Sequence, residues 1–506
     1  MKDYLKIECG VFGAVNFKKQ PVFPLLYWGL RAQNHRGHQS HGFVTFDGRF
    51  YVYRSLDLVP RIKTKATHEW LRRLPGHLGI ANVRYTTSGK TTEKALKKGV
   101  QPVIARKNAH KIAVSFNGNV VNTLQLKREI KKRFPNFEYE CDADLICHKL
   151  LIELLETRDL AEAVKGCMKK IDGAFSVAGI NQNGEFFAFK DPYGIRPLCA
   201  GRDVEDGVLA FSSETVGLDI NALEFQFELE PGELVRATEH GFEREKLVDG
   251  GKKAFCAFEF AYFARPDSRF GEKYVYEVRE QFGRNLAEEN PEIVKDADII
   301  ISIPETGDDA ALGVHEATGL KWERASRRHR YVTERAFILL SKERQSTIDK
   351  KINFLGSKIK GKRVIVTEDS IVRGDTTRVV VEKLRKMGAK KVHLFITFPR
   401  IISPCFYGIN MATYGELIGS RYDEEEIAKI IGADTVNYQS LEGFIKATGY
   451  RKNELCLGCL TRKYPTPMAQ RIADEMWKRF WEGKKETGRL YEIPELLENA
   501  AAKTTT

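Results

Sequence analysis

VIVTEDSIVRGDTT, residues 364–377, is the strongest local signal in the chain. An apolar run of the kind found in strands buried on both faces ends in two acids, Glu368 and Asp369. A loop of small and hydroxyl residues then leads into a helical pattern. Backbone N–H groups in such a loop, at a helix N-terminus, form an anion site that suits a phosphate monoester. The paired carboxylates can accept ribose hydroxyls and contact Mg2+, a hard cation that prefers oxygen. Taken generically, a strand-acid-acid-loop is more often a plain connection whose acids cap the helix. On its own the stretch therefore speaks for architecture more firmly than for a ligand.

The same architecture repeats outward from it. ADIIISIP (297–304) and KKVHLFITF (390–398) are further continuous apolar runs. Amphipathic helical patterns at 276–289 and 378–387 alternate with them, the second stopped by Gly388. Strands alternating with helices predict an α/β domain with a mostly parallel sheet. The N-terminal half differs. ECGVFGAV, HGFVTF, YVYRSL, GIANVRYT, KIAVSFNG, FSVAGI and FFAFKD have strand composition, several bounded by Gly or Asn. DADLICHKLLIELL (142–155) has apolar positions at helical spacing, with Asp142 placed to serve the helix start. Such a series predicts a sheet-rich, layered α+β domain. VDGGKK puts the boundary near residue 250, giving domains 9–250 and 251–465, followed by a charged helical tail, 466–506.

The chain has 506 residues, 42% hydrophobic and 29% charged, an ordinary soluble composition with room for two to four domains. No apolar run approaches the roughly 18 residues of a membrane helix. MKDYLKIE, at the start, has mixed charges and no apolar stretch, unlike a secretory signal. A cytoplasmic protein is expected, with no membrane partner. The net charge is +13, but basic residues are interleaved with acids, and the densest cluster is Arg324, Arg327, Arg328 and Arg330. A solvated basic surface, or a basic cleft for a phosphorylated substrate, is expected ahead of a nucleic-acid face. Nine cysteines, an odd number, argue against a disulfide scaffold and leave metal binding, nucleophilic catalysis or burial.

Five segments of the first half carry chemistry: Cys9 in ECGVFG, Arg36-Gly37 in NHRGHQSHG, Arg84-Tyr85 in ANVRYTTSG, Asn117-Gly118-Asn119 in SFNGNVVN, and Asp142 in CDADL. Singly, each has a plainer reading: a buried cysteine, a surface ion pair, a hairpin turn, a helix N-cap. In this order they resemble the glutamine amidotransferase domain of the N-terminal-nucleophile (Ntn) hydrolases. The resemblance implies a four-layer αββα sandwich. It also implies that residues 1–8 are a propeptide, removed after Glu8 so that Cys9 becomes the N-terminus. A thiol attacking the glutamine amide needs a base, and a free α-amino group, with a pKa of about 7.7–8.0, can serve. The resemblance makes Cys9 the nucleophile and assigns the oxyanion donors to the Asn117 side chain and the Gly118 N–H. It gives the glutamine α-carboxylate to Arg84 and the α-ammonium to Asp142, with Tyr85 and Arg36 also at the glutamine. Two departures bear on the pocket's shape. Arg36-Gly37-His38-Gln39 stands where the family has Arg-Gly-Gln-acid, and His41 replaces a small residue.

Residues 364–377 resemble the phosphoribosyl pyrophosphate (PRPP) motif of the type I phosphoribosyltransferases, in the amidophosphoribosyltransferase version with its SIVRG core. Glu368 stands where the family usually has Asp. SIPETGDDAA (302–311) resembles the pyrophosphate loop of the same family. PRPP-binding residues are then implied at Glu305, Thr306, Gly307, Glu368, Asp369, Ser370, Arg373, Gly374, Asp375, Thr376 and Thr377. Mg2+ is implied at Thr306, Glu368 and Asp369. FEFAYFARPDS (258–268) and VYEVREQFGRNLAEE (275–289) extend the resemblance to about nine tenths of the chain. RYVTERAFILLSKERQSTIDKKIN (330–353), at the place of the family's mobile lid, fits less well.

Cys456 and Cys459 have metal-ligand spacing, for which zinc is the general expectation. Cys256 in KAFCAFEF and Cys405 in SPCFYGIN align with the remaining ligands of the family's cluster-bearing branch, which implies a structural [4Fe–4S] cluster on four thiolates. Cys141, Cys147, Cys167 and Cys199 are expected to be core. The implied function is synthesis of 5-phosphoribosylamine from PRPP and glutamine, the first committed step of purine synthesis, by a homotetramer inhibited by purine nucleotides. Two other readings stay open. One is a diverged paralogue that binds PRPP or nucleotides as a regulator. The other is a transferase using free ammonia with a weak glutaminase half.

Overall fold

The structure is a computed structural model describing residues 9–62, 66–85, 93–238, 241–328, 352–484 and 486. The expected propeptide, nearly all of the 330–353 segment and Arg330 lie outside the described residues.

Two antiparallel sheets make up the first half. The seven-stranded sheet runs Glu224–Glu228, Cys199–Asp203, Val208–Ser212, Gly10–Asn16, Leu78–Arg84, Ser40–Phe46, Phe50–Ser55. The six-stranded sheet runs Gly241–Lys246, Glu233–Thr238, Phe186–Lys190, Gly173–Asn181, His110–Val120, Val103–Lys107. Side chains alternate along a strand, so each strand feeds two cores. Val11, Val44, Ile80, Ala113, Ala178 and Phe211 fill the space between the sheets. Phe12, Phe43 and Val83 point the other way and pack with Phe23, Leu26 and Leu30 of the helix Phe23–Ala32. Val114, Phe116 and Val177 do the same on the far side, against the helices Asp142–Thr157 and Leu160–Lys170. The order of layers is helix, sheet, sheet, helix. Cys141, Cys147 and Cys167 belong to the far-side core and Cys199 to the near-side one.

The second half is built on a five-stranded parallel sheet ordered Lys321–Trp322, Ile299–Ser302, Arg363–Glu368, Lys391–Ile396, Thr435–Tyr438. Its central strands are buried on both faces, the reason they read as unbroken apolar runs. The two halves meet in a shared core. Val121 and Ala174 of the first half pack with Phe255, Phe258, Phe398 and Phe406 of the second. The helix Pro467–Trp481 sends Ala469, Ile472, Ala473 and Met476 into that same core, so the first part of the expected tail is a packed amphipathic element.

Candidate active sites

Cys9 directly precedes the strand Gly10–Asn16. Its side chain shares a face with Val11, so the buried thiol looks between the sheets. It accepts the Tyr85 N–H, and Gln101 Nε2 donates to Sγ at 3.6 Å. Gln101 is in turn fixed by the Phe116 N–H, donated to Oε1 at 2.8 Å. Burial pushes the thiol up to about 11, opposed mainly by the positive charge of Arg84 and then of Arg36, while Asp142 adds to the rise. A thiol so placed is protonated at neutral pH and needs a base before it can attack.

Opposite it stands the eleven-residue strand His110–Val120. Asn117 lies on its inward face and is buried, and neither Nδ2 nor Oδ1 has a hydrogen-bond partner among the described residues. An orphaned buried amide costs about 1–3 kcal/mol, which a ligand oxygen would recover. Gly118 follows with φ +151°, and a Cβ there would lie 1.9 Å from the Ala174 carbonyl oxygen. Asn117-Gly118 is therefore mid-strand, paired with Ser176 and Phe175, and the hairpin-turn alternative is corrected.

Arg84 is buried and donates from Nη1 to the Gly99 carbonyl at 2.8 Å. Asp142 is the first residue of its helix, but it does not cap it. The N–H groups of Cys141 and Glu140 are taken by Asp144 Oδ2, at 2.8 and 3.0 Å. Asp142 instead accepts the Val120 N–H at 3.1 Å and the Tyr139 hydroxyl at 2.6 Å. An arginine and a carboxylate thus flank the thiol, the complement of an amino acid's two charged ends. Arg36 behaves differently: it donates from Nε to the Cys9 carbonyl at 3.3 Å and is otherwise tied to Glu214 and Glu259. Gly37 lets this loop press onto the next strand, since a Cβ would sit 2.4 Å from Arg84 N. His41 pairs in register with Val83 on the helix-facing side and meets Phe43 edge to face. It points away from the space between the sheets, which corrects the expectation that it reshapes the pocket.

The second site lies at the carboxyl ends of the parallel strands, where α/β sheets bind ligands. Thr306 Oγ1 donates to Asp369 Oδ2 at 2.6 Å, and Ser370 Oγ to Asp369 Oδ1 at 2.7 Å. Gly307 fits because a Cβ would meet the Thr367 carbonyl oxygen at 2.4 Å, and Thr367 Oγ1 donates to the Gly307 carbonyl at 2.8 Å. The two loops are thus locked together. Gly374, at φ +86°, turns the chain into the twelve-residue helix Asp375–Lys386. Asp375 and Thr376 sit half-buried at its start, while Thr377 is buried and hydrogen-bonds Glu368. Arg373 pairs with Glu416, and Glu305 is exposed, 3.8 Å from Arg328. Neither Glu368 nor Asp369 caps the helix, so that generic alternative is also corrected.

Burial, and then the neighbouring Asp369, push Glu368 up to about 8. Its Oε2 is buried with no hydrogen-bond partner among the described residues. Two adjacent carboxylates raised by burial, with hydroxyls around them, are a donor set that fits a hard divalent cation. Glu368→Gln gives a test. The folded protein holds this proton well above the ordinary glutamate range, so Glu368 makes stability fall as pH rises from about 4.5 to about 8. Thermal melts across that range should show the variant gaining on the natural chain as pH rises. Mg2+-dependent PRPP binding should meanwhile fall by about tenfold or more.

The chain is similar to known proteins along most of its length. A family model described as "Glutamine amidotransferase domain" matches residues 90–219. The amidophosphoribosyltransferase of Methanocaldococcus jannaschii is 40% identical over 476 residues, covering 90% of this chain and 98% of that one. The chain belongs to the amidophosphoribosyltransferases. The Bacillus subtilis member is 34% identical over 92% of this chain and 96% of its own length. A solved B. subtilis glutamine PRPP amidotransferase, complexed with ADP and GMP, superposes with a TM-score of 0.81 at 33% identity, covering 90% of this chain and 97% of that one. The enzyme is a glutamine-dependent pentosyltransferase of purine biosynthesis, and its fold is an Ntn amidotransferase half joined to a phosphoribosyltransferase half. No helix among the described residues is long and apolar enough to cross a membrane.

In this amidophosphoribosyltransferase the four cysteines read as a set come together. Phe255–Cys256 and Leu455–Cys456 pair as short parallel strands, with Cys256 opposite Cys456. The Cys459 carbonyl accepts the N–H groups of Ile402 and Ser403, which brings the Cys405 loop alongside. The Cys459 thiol lies within electrostatic reach of Cys405, Cys456 and Cys256. Among the described residues no three sulfurs, imidazoles or carboxylates close around one ion. Zinc, with bonds of about 2.3 Å to sulfur, would need that. Four thiols drawn from segments that lie side by side are the donor chemistry a cluster on four thiolates would take.

Sequence reasoning missed Gln101, Glu214, Glu259 and Arg196. Glu259 falls within FEFAYFARPDS without being singled out there, no motif marks the other three, and contacts across the fold reveal their place beside the site.

Proposed function

We propose that this chain makes 5-phosphoribosylamine, glutamate and pyrophosphate from glutamine, PRPP and water, with the two half-reactions at the two sites above. The observation that carries the reading is a buried thiol beside an Asn117 amide with no partner among the described residues, in one molecule with a carboxylate-and-hydroxyl loop pair at the end of a parallel sheet. Cleavage after Glu8 frees the Cys9 α-amino group, which takes the thiol proton; the thiolate attacks the glutamine side-chain amide, ammonia leaves with that proton, and water then hydrolyses the thioester to glutamate and the free thiol. Asn117 Nδ2 and the Gly118 N–H receive the oxyanion. Arg84, with Tyr85, holds the α-carboxylate, and Asp142 the α-ammonium. Arg36 supports the Cys9 main chain. The released ammonia passes internally to the PRPP site. There the loop residues 370–377 cradle the 5-phosphate, the loop Glu305–Gly307 meets the pyrophosphate, and ammonia displaces that pyrophosphate at the anomeric carbon. Thr306, Glu368 and Asp369 would hold Mg2+, which when bound neutralises the leaving group. Cys256, Cys405, Cys456 and Cys459 would hold a [4Fe–4S] cluster, which ties the junction segment to the C-terminal one. A cytoplasmic homotetramer and inhibition by purine nucleotides complete the reading; ADP and GMP in the solved relative support the latter.

The deciding experiment compares nitrogen donors on anaerobically purified protein. Pyrophosphate release with glutamine and with ammonium is expected. Release with ammonium only would point to a transferase with a weak glutaminase half, and release with neither to a regulator. Metal analysis should find roughly four iron and four sulfide per chain. Cys459→Ser should lose most of both, and zinc without iron would remove the cluster from the reading.

A further inference from the structure

The largest feature that these roles leave unexplained is a set of charges buried behind Cys9. The Arg36 and Arg196 guanidinium groups and the Glu214 and Glu259 carboxylates are all removed from solvent. Arg36 places a two-pronged fork on Glu259, from Nη2 to Oε1 at 2.7 Å and from Nη1 to Oε2 at 3.0 Å. The same guanidinium donates from Nε to the Cys9 carbonyl. Arg196 donates to Glu259 Oε1 from the other side.

Glu259 belongs to the second half of the molecule. It opens the helical turn Glu259–Phe263, three residues after Cys256. Arg279 clamps that turn, with Nε donating to the Phe260 carbonyl and Nη2 to the Ala264 carbonyl, both at 2.8 Å. The opposite wall of the glutamine site is tied to the same half, because Asn119 Nδ2 donates to the Phe406 carbonyl at 2.9 Å. Both the thiol and the strand that faces it are therefore set against the second half.

Stability does not account for such a group. Desolvating four charges offsets most of their attraction, and apolar residues of the same volume would hold the site at least as well. A fork between a guanidinium and a carboxylate supplies direction: it fixes the plane of Arg36 and so the position of what Arg36 touches. What Arg36 touches is the main chain of the nucleophile.

We propose that Glu259 is a positioning residue for the glutaminase half-reaction, holding Arg36 so that the Cys9 thiol faces Asn117 and Gly118. The inference rests on the glutaminase role of Cys9, and the natural chain is assayed alongside to separate the two. If the natural chain hydrolyses no glutamine, that role fails; if it does, only the variants judge Glu259.

Glu259→Gln keeps the shape and removes the charge. Steady-state rates should show the glutamine-dependent kcat down by about 100-fold, the cost of a small misplacement of a reacting group. KM for glutamine should stay within about threefold and the ammonium-dependent rate within about twofold, with unchanged iron content. A merely structural role would lower both activities together, and that result overturns the proposal. So does a folded variant whose glutamine-dependent kcat stays within about threefold of the natural one. Should Glu259→Gln fail to fold, the charge-balanced pair Glu259→Gln with Arg196→Gln is read in the same way. Failure of both to fold would show the group to be a stabilising element and overturn the positioning role.

Discussion

Cys9→Ala is expected to abolish the use of glutamine and spare the use of ammonia. Among the described residues the variant removes the one cysteine sulfur that lies between the two sheets opposite Asn117. Glutamine-dependent pyrophosphate release should fall by about four orders of magnitude, because nucleophile and base act as a unit. Release with ammonium salt should stay within about threefold, since the Asp369 loop belongs to another sheet and shares no hydrogen bond with Cys9 among the described residues. Stability should hardly change, as losing one small buried sulfur leaves a minor cavity. A parallel loss of both activities would mean that the sites are not separable and would sink the two-site reading.

Gly118→Ala should damage the same half through the backbone. The added methyl would start 1.9 Å from the Ala174 carbonyl oxygen, a main-chain atom in the neighbouring strand that cannot swing away. The φ of +151° adds strain for any residue with a Cβ. One of the two strands must shift, and with it the Gly118 N–H and the Asn117 amide. Removing one oxyanion donor costs about 100- to 1,000-fold in kcat, and displacing both should reach the upper end. A fall in stability of about 2–4 kcal/mol should accompany it, read from denaturant midpoints at unchanged slope. Retention of glutamine hydrolysis within about tenfold would show that neither group touches the reacting oxygen.

Much of this was legible from local pattern. KRVIVTED (362–369) read as a doubly buried strand, and the strand Arg363–Glu368 has all but its first residue out of solvent, with the acid pair falling where parallel sheets bind ligands. Cys9, Asn117, Arg84 and Asp142 could be marked only together, from the order of their segments and the family it resembles. Their surroundings could not. Asp142 read as the residue serving the helix start, and Asp144, the same residue type two positions on, was not singled out. In the structure Cys141 is the N-cap, Asp144 closes the capping box by accepting its N–H, and Asp142 is left beside the thiol. Residues 466–506 read as a charged tail, yet an apolar stripe on Pro467–Trp481 is part of the core joining the halves. His41 looked like a change in the pocket and lies on the other face of its strand.

The amino-acid sequence by itself determined the strands and helices and the change of character between the two halves, because periodicity and loop composition are properties of neighbours along the chain; the residues proposed to carry the chemistry came from the order of segments that resembles a family. Tertiary structure alone decided which buried charges share a space. Arg36 meets Glu214 and Glu259, 178 and 223 residues away, and whether a buried charge is tolerable depends on what lies within a few ångströms of it in three dimensions.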